Sequence, residues 1–243
     1  MSVHEFEGLK YDLQEGHSID DSLLEGKCFE PWTWNWIKQY VTKESACVDV
    51  GANFGCFSVL MASLGKKVWC FEPMPIIERL ICNMELNRFT NYKACQFVVG
   101  SECREVHANF QYKWDAESDT NEQVHTTMIT LDDFIQGRVD FLKIDTDGDE
   151  LRVIDGMRRC VGSYHPVVVQ ELAVDTFAFD EKTWSKERQD NTGNWKEILD
   201  FYFSFGYEIK AQSLGALATN AEQLVEIAKD PNISSIDVLL VNE

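Results

Sequence analysis

The sequence predicts an α/β fold with a doubly wound, mostly parallel sheet of seven strands. From about residue 46 onward, short apolar runs alternate with segments whose apolar residues recur at helical spacing. The runs between residues 46 and 170 are apolar almost throughout, which is typical of parallel strands covered by helices on both faces. A chain of 243 residues is long enough for one such domain with a sizeable core.

Seven runs are predicted as strands: 46–50, 68–71, 96–99, 139–144, 166–170, 207–210 and 236–241. Helices are predicted around 57–64, 77–84, 151–161 and 195–203, where apolar residues follow the i, i+3, i+4 pattern or precede a strand. Two extended runs between the third and fourth strands predict a hairpin-like insert. Residues 46–243 therefore form one predicted domain, and residues 1–45 form an amino-terminal helical lid or extension.

The charge balance argues against two classes of partner. The chain has 22 Lys and Arg against 41 Asp and Glu, a formal net charge of −19. A surface this acidic repels phosphate backbones and anionic headgroups, so we expect neither a nucleic-acid nor a membrane partner. The first residues do not resemble a secretion signal, and the eight cysteines form no C-x-x-C pair, so we expect a cytoplasmic protein.

The first predicted strand closes on a glycine-containing turn, Asp49-Val50-Gly51-Ala52-Asn53-Phe54-Gly55. Open parallel sheets bind ligands at the carboxyl ends of their strands. Gly51 permits a tight turn, and Gly55 lets the next helix approach the strand closely. The second strand closes with Glu72, a carboxylate suited to accept both hydroxyls of an adenosine ribose. This combination predicts a nucleoside-containing cofactor.

Two cofactor classes share that geometry, and the turn favours S-adenosylmethionine (SAM) over a dinucleotide. The dinucleotide pattern needs glycine where this chain has Asn53 and Cys56. Asp49 would also be a poor neighbour for a pyrophosphate, whereas SAM carries an ammonium group and no phosphate. We therefore predict SAM as the cofactor.

An ordered set of motifs resembles the FkbM family of class I SAM-dependent methyltransferases, which have a Rossmann-like fold. The similar stretches are 48–55, 71–73, Asn83 with Asn87, 130–134, 142–150, 153–156 and 166–171. One departure is Asp147, which stands where the family usually has Glu. The resemblance implies O-methylation of a hydroxyl group on a small molecule, sugar or natural product.

The candidate cofactor-binding residues are those of the strand-end turns. They are Asp49, Gly51, Ala52, Asn53, Gly55, Glu72, Pro73, Gly100, Ser101 and Asp145. Gly100 and Ser101 follow the third predicted strand, and Asp145 follows the fourth.

An alcohol acceptor needs a base, because its proton must leave during or just after attack on the methyl group. The candidate catalytic residues are Asp145, Asp147 and Glu171, which follow or end the fourth and fifth strands. Asp149 and Glu150 suit a helix amino terminus at least as well as catalysis. Asp145 ends an apolar strand, so we expect it to serve turnover more than folding.

Three alternatives stay open at this point. The chain is also compatible with a small-molecule N-methyltransferase, which needs less base strength, or with a SAM-binding protein without turnover. Asp145 and Glu171 would also suit a shared divalent cation, but we do not predict a metal.

Overall fold

The structure, a computed structural model, describes residues 2–110, 122–146, 148–173, 195–213, 220, 223–224, 227, 233 and 235–242. The chain divides into two compact units. The first unit comprises Met1–Val98 and Glu105–Thr127, and the second comprises Val99–Arg104 and Met128–Glu243. Asp147 and the loop of the predicted insert, residues 111–121, lie outside the described residues.

Nine elements precede the insert: β1 Val3–Phe6, β2 Leu9–Asp12, α1 Ser18–Leu24, α2 Pro31–Tyr40, β3 Ala46–Val50, α3 Cys56–Leu64, β4 Lys67–Phe71, α4 Ile77–Leu86 and β5 Tyr92–Cys95. A smaller sheet follows, made of β6 Val98–Val99, β7 Arg104–Phe110 and β8 Glu122–Ile129. The remaining elements are α5 Leu131–Phe134, β9 Phe141–Ile144, α6 Glu150–Asp155, α7 Arg158–Tyr164, β10 Val167–Ala173, α8 Trp195–Ser204, β11 Glu208–Gln212 and β12 Ser235–Val241.

The main sheet has seven strands in the order β11-β12-β10-β9-β3-β4-β5. The pairs β3–β4, β4–β5 and β9–β10 are parallel, and β12 is antiparallel to both β10 and β11. All four residues of β9 are buried, as are four of the five residues of β3. The predicted mostly parallel, seven-stranded α/β fold is confirmed, and its core lies along these apolar strands.

The third strand of the main sheet differs from the prediction. It is β5, Tyr92–Cys95, whereas the predicted run 96–99 contributes Val98–Val99 to the smaller sheet. β5 is the last strand in the order, and Lys93 is exposed. An edge strand need not be apolar throughout, so its sequence lacks the continuous apolar run that marks the central strands. The predicted insert strands are present as the neighbours β7 and β8.

The amino-terminal extension contains the expected helices and also a two-stranded hairpin that was not predicted. In that hairpin β1 and β2 are antiparallel. The indole of Trp34 on α2 is 1% exposed, and its ring centroid lies 5.4 Å from that of Phe6 and 6.4 Å from that of Phe57 on α3. Trp34 therefore docks α2 between the hairpin and α3.

Two asparagines, Asn83 on α4 and Asn87 directly after it, hold the hairpin by its backbone. Asn83 is fully buried; its Oδ1 accepts the Asp12 N–H at 2.7 Å, and its Nδ2 donates to the Phe54 carbonyl at 2.9 Å. Asn87 makes two bonds to the Lys10 backbone, accepting its N–H at 2.9 Å and donating to its carbonyl at 2.7 Å. The side-chain amides thus pair with β2 as a neighbouring strand would.

Among the described residues, no helix is both long and apolar enough to cross a bilayer.

Candidate active site

The turn between β3 and α3 follows the closing residues of the strand. Gly51 has a φ of +79°, and the N–H groups of Gly51 and Ala52 both donate to the Phe71 carbonyl at 3.0 Å. Asn53 has a φ of +49°, and its Oδ1 accepts the Phe54 N–H at 2.8 Å. Asparagine tolerates the left-handed region because its short side chain forms local hydrogen bonds. The positive φ therefore explains how Asn53 can stand where the dinucleotide pattern has a glycine.

Gly55 permits a close contact between two helices. Its φ is +89°, and a Cβ at this position would lie 2.9 Å from Cγ of Leu80 on α4. Any side chain here would push α4 away, in addition to straining the backbone. The close approach expected from the sequence therefore exists, but its partner is α4 rather than the strand.

Glu72 joins two strand-end turns. Its side chain is 8% exposed; Oε2 accepts the Asn53 N–H and Oε1 accepts the Met74 N–H, each at 2.9 Å. The carboxylate is therefore held in one orientation by the turns after β3 and β4. Pro73 lies in the turn after β4, between Glu72 and Met74. Its carbonyl oxygen accepts a hydrogen bond from the Gln96 side chain at 3.3 Å.

Asp49 lies inside the first unit. It is 1% exposed, and its Oδ2 accepts the Ser58 hydroxyl at 2.6 Å. This bond ties the end of β3 to α3, which is a structural role for a residue also proposed to serve the cofactor.

Asp145 directly follows β9, and Glu171 lies within the neighbouring parallel strand β10, which continues to Ala173. In the register of β9 and β10, Ile144 is opposite Gln170, and the two acids are the next residues. The Lys143 ammonium lies 2.9 Å from Asp145 Oδ2; the Lys143 side chain is 3% exposed and that of Asp145 is 29% exposed. The structure thus brings together two of the three predicted catalytic acids.

The pKa of Asp145 reflects opposing effects. Burial acts to raise it, whereas the Lys143 charge and the hydrogen bonds from Glu171 and Lys143 lower it. The net result is a pKa below the ordinary value for aspartate. Asp145 is therefore an anion at neutral pH.

A family model for the methyltransferase FkbM domain matches residues 49–209 of the chain. The chain belongs to the FkbM methyltransferase family. The matched range begins at Asp49 of the cofactor turn and includes Glu72, Asp145 and Glu171. The comparison with curated proteins gave no match.

Solved structures share the fold of this FkbM-family chain at low sequence identity. An FkbM methyltransferase from Methylobacillus flagellatus KT has a TM-score of 0.51 and 13% identity, over 85% of this chain and 50% of that one. An rRNA methylase from Streptococcus thermophilus has a TM-score of 0.50 and 10% identity, over 87% and 94%. Trm5b from Pyrococcus abyssi has a TM-score of 0.50 and 12% identity, over 99% and 55%. The chain spans about half the length of the M. flagellatus protein.

The motif at residues 130–134 makes helix caps. The Thr130 hydroxyl accepts the Asp133 N–H at 3.1 Å and so caps α5. The Asp132 carboxylate accepts the N–H groups of Arg159 and Cys160 at 2.7 and 2.8 Å in the first turn of α7. Residues 130–134 therefore cap two helices, α5 and α7.

Glu150 closes the motif at residues 142–150. It is 2% exposed, and its Oε1 accepts bonds from the Thr146 N–H and hydroxyl and from the Gly148 N–H, at 2.9–3.1 Å. Burial raises the pKa of Glu150, and these hydrogen bonds oppose that rise. Glu150 therefore binds Thr146 and Gly148, which precede α6, and Asp149 at the N-cap position makes no side-chain cap bond, so neither acid caps the helix in the way expected from the sequence.

The remaining predicted residues of this FkbM chain differ in environment. The Gly100 N–H donates to the Ile129 carbonyl at 2.9 Å, and a Cβ on Gly156 would lie 2.0 Å from the Gly100 carbonyl oxygen. Gly100 is thus packed tightly within the second unit, whereas Ser101 is exposed. Asp147, the third catalytic candidate, lies outside the described residues.

Two residues that support the acids, Lys143 and Gln170, were not among the predicted site residues. Gln170 is fully buried; its Oε1 accepts the Tyr202 hydroxyl at 3.0 Å and its Nε2 donates to the Glu171 carbonyl at 2.8 Å. Lys143 could have been singled out from the sequence, because a charged residue within an apolar strand must be paired. Within the described ranges, no group of three or more His, Cys, Asp and Glu side chains could hold a metal ion.

Proposed function

We propose that this chain is a SAM-dependent methyltransferase that transfers a methyl group to a hydroxyl of a small molecule or sugar. The observation that carries the proposal is the Asp145–Glu171 pair, two carboxyl groups next to each other in the register of the parallel strands β9 and β10 of an FkbM-family chain. Such a pair supplies what an alcohol acceptor requires, a positioned proton acceptor. The eight cysteines favour the reducing cytoplasm as its location.

The residues of the first unit fit SAM. The Glu72 carboxylate is fixed in orientation by two N–H groups, and a carboxylate has acceptor capacity for about four hydrogen bonds, so it suits both ribose hydroxyls. Residues 51–55 form the turn that follows β3, and Asp49 precedes that turn in the chain. When bound, SAM supplies an activated methyl group on a sulfonium.

The acids of the second unit act on the acceptor. Asp145 and Glu171 would orient the acceptor hydroxyl, and one of them would take its proton. SAM would supply the methyl group, and its sulfur would keep the electron pair of the broken carbon–sulfur bond. The positive charge beside Asp145 is the Lys143 ammonium, so the proposal needs no divalent cation.

Glu72→Ala is expected to weaken SAM binding by about 10²–10⁴-fold in Kd. The variant loses two charge-assisted hydrogen bonds to the ribose, each worth about 1.5–3 kcal/mol. Titration calorimetry with SAM and with S-adenosylhomocysteine measures the loss, and thermal melting verifies that the variant is folded. Glu78→Ala, an exposed acid in the first turn of α4, is the matched control and keeps wild-type affinity. Equal affinity in the two variants would contradict the cofactor site.

The acceptor class is tested by binding and turnover. With a net charge of −19, the protein is expected not to bind RNA or DNA at physiological salt in an anisotropy titration. Salt-sensitive micromolar binding to RNA would overturn the small-molecule assignment, since the S. thermophilus structure is described as an rRNA methylase. A turnover assay on a panel of hydroxyl and amine compounds then separates O-methylation from N-methylation and from binding without turnover.

A further inference from the structure

The cofactor turn, residues 49–55, contains backbone that needs outside support. Asn53 has a φ of +49° and Gly55 a φ of +89°. A residue other than glycine keeps a positive φ only where surrounding contacts fix it. Phe54, between these two residues, is 1% exposed. Contacts to Phe54 can therefore hold the turn in this geometry.

The Arg79 side chain on α4 covers the ring of Phe54. Its guanidinium carbon lies 4.7 Å from the ring centroid, within the distance of about 6 Å at which a cation is attracted to an aromatic face. Asn83, one helical turn further along α4, donates to the Phe54 carbonyl at 2.9 Å. Helix α4 thus holds Phe54 by both its ring and its carbonyl group.

The guanidinium of Arg79 is itself fixed by β2 and α1. Its Nη2 donates to the Asp12 carbonyl at 2.8 Å and to Oδ1 of Asp20. The Asp20 side chain is 1% exposed, and the same oxygen accepts the Gln14 N–H at 2.8 Å. Because a guanidinium is planar and rigid, these acceptors also set the orientation of the group that faces Phe54.

A separate contact joins β2 to the start of α3. Tyr11 is fully buried, and its hydroxyl donates to the carbonyl of Cys56, the residue after Gly55, at 3.2 Å. The range matched by the family model begins at Asp49. The contacts that Tyr11, Asp12 and Asp20 make with the turn or with Arg79 therefore come from residues that precede the matched range.

We propose that Arg79 is a positioning residue for the cofactor turn and that β2 and α1 hold it in place through Asp12 and Asp20. The inference rests on the proposed function, in which this turn binds SAM. A turn held in its binding conformation has the higher affinity, because the apparent Kd rises as the competent fraction falls. The coupling is reciprocal, so bound SAM also stabilises the docking of the β1–β2 hairpin.

Arg79→Met, which replaces the guanidinium with an apolar group, should raise the Kd and the KM for SAM by about fivefold or more. At saturating SAM, kcat should stay close to wild type, because excess SAM draws the turn back into its binding conformation. Titration calorimetry measures the Kd. Lys27→Met removes the cation of the exposed Lys27–Glu25 pair and is the control with wild-type affinity. Wild-type affinity in a folded Arg79→Met protein would overturn the proposal.

Amide hydrogen exchange of the wild-type protein tests the coupling even if Arg79→Met does not fold. The N–H groups of Lys10 and Asp12 bond to the asparagine side chains that hold the hairpin. SAM should slow their exchange by a larger factor than that of the β11 amides, which report the stabilisation of the whole fold by a ligand. Equal slowing at both places would contradict the reciprocal coupling and so the proposal.

Tyr11→Phe, which removes only the hydroxyl, separates this inference from the proposed function. Without SAM, the amides of residues 52–55 should exchange faster in Tyr11→Phe and in Arg79→Met than in wild type. If they do so in a protein that binds no SAM, the proposed function is wrong and the positioning of the turn stands. If SAM binds but this exchange is unchanged in the variants, the positioning is wrong and the proposed function stands.

Discussion

Replacing Glu171 with glutamine is expected to reduce the rate of methyl transfer by about 10²–10⁴-fold, the range for loss of a general base. The amide cannot accept a proton at neutral pH. It keeps the size and shape of the carboxyl group and its capacity for hydrogen bonds, so little else of the site should change. Turnover should therefore fall while the melting temperature and the affinity for SAM stay close to wild type.

Single-turnover kinetics at saturating SAM measures this loss on the hydroxyl acceptor found in the turnover panel. Glu208→Gln on β11, an exposed acid of the same sheet, is the matched control and retains the wild-type rate. A folded Glu171→Gln protein with undiminished turnover would remove Glu171 from the chemistry and make Asp145 the remaining described acid.

Replacing Asp145 with asparagine should destabilise the protein by about 3 kcal/mol at neutral pH. The variant leaves the buried Lys143 ammonium without its carboxylate, and breaking a buried ion pair typically costs about 3–5 kcal/mol. The low end applies because the Asp145 side chain is 29% exposed. The sequence alone led us to expect little change in stability, and the contact with Lys143 reverses that expectation.

The pH dependence gives this loss a signature. Because the folded-state pKa of Asp145 lies below its unfolded value, its contribution to stability is present above the unfolded pKa and disappears as pH falls through the folded pKa. Urea unfolding at several pH values should therefore show a difference between wild type and Asp145→Asn that is largest near neutral pH and shrinks in acid. Asp140→Asn should cost at most about 1 kcal/mol, because the side chain of its partner Arg138 is 74% exposed, whereas that of Lys143 is 3% exposed. Equal unfolding midpoints for wild type and Asp145→Asn at pH 7 would show that the pair with Lys143 contributes nothing.

The central strands were predictable because a strand covered on both faces is mostly apolar, and β3, β4, β9 and β10 are each mostly apolar. β5 and the β1–β2 hairpin were not predictable in this way. β5 lies at the sheet edge, and the hairpin is short and only half buried, so neither carries the apolar run on which such predictions depend.

The candidate site followed from one rule, that parallel strands bring their closing residues to one edge of the sheet. That rule pointed to Glu72, Asp145 and Glu171. It contains no information on partners set by register or by distant chain segments. Asp237 lies opposite Glu171 only through the alignment of β12 with β10, and Glu72 binds the Asn53 and Met74 N–H groups only after two turns have formed.

The asparagine contacts between α4 and the β1–β2 hairpin have a consequence for the order of folding. They join residues 71 and 77 positions apart, so the hairpin is synthesised long before its partner helix exists. Contacts of such sequence separation form late, because a long loop must close first. Asn83 also holds the Phe54 carbonyl, inside the turn proposed to bind SAM. We therefore expect the β1–β2 hairpin to dock late, and the side chain of Asn83 would link that docking to the backbone of the turn proposed to bind the cofactor.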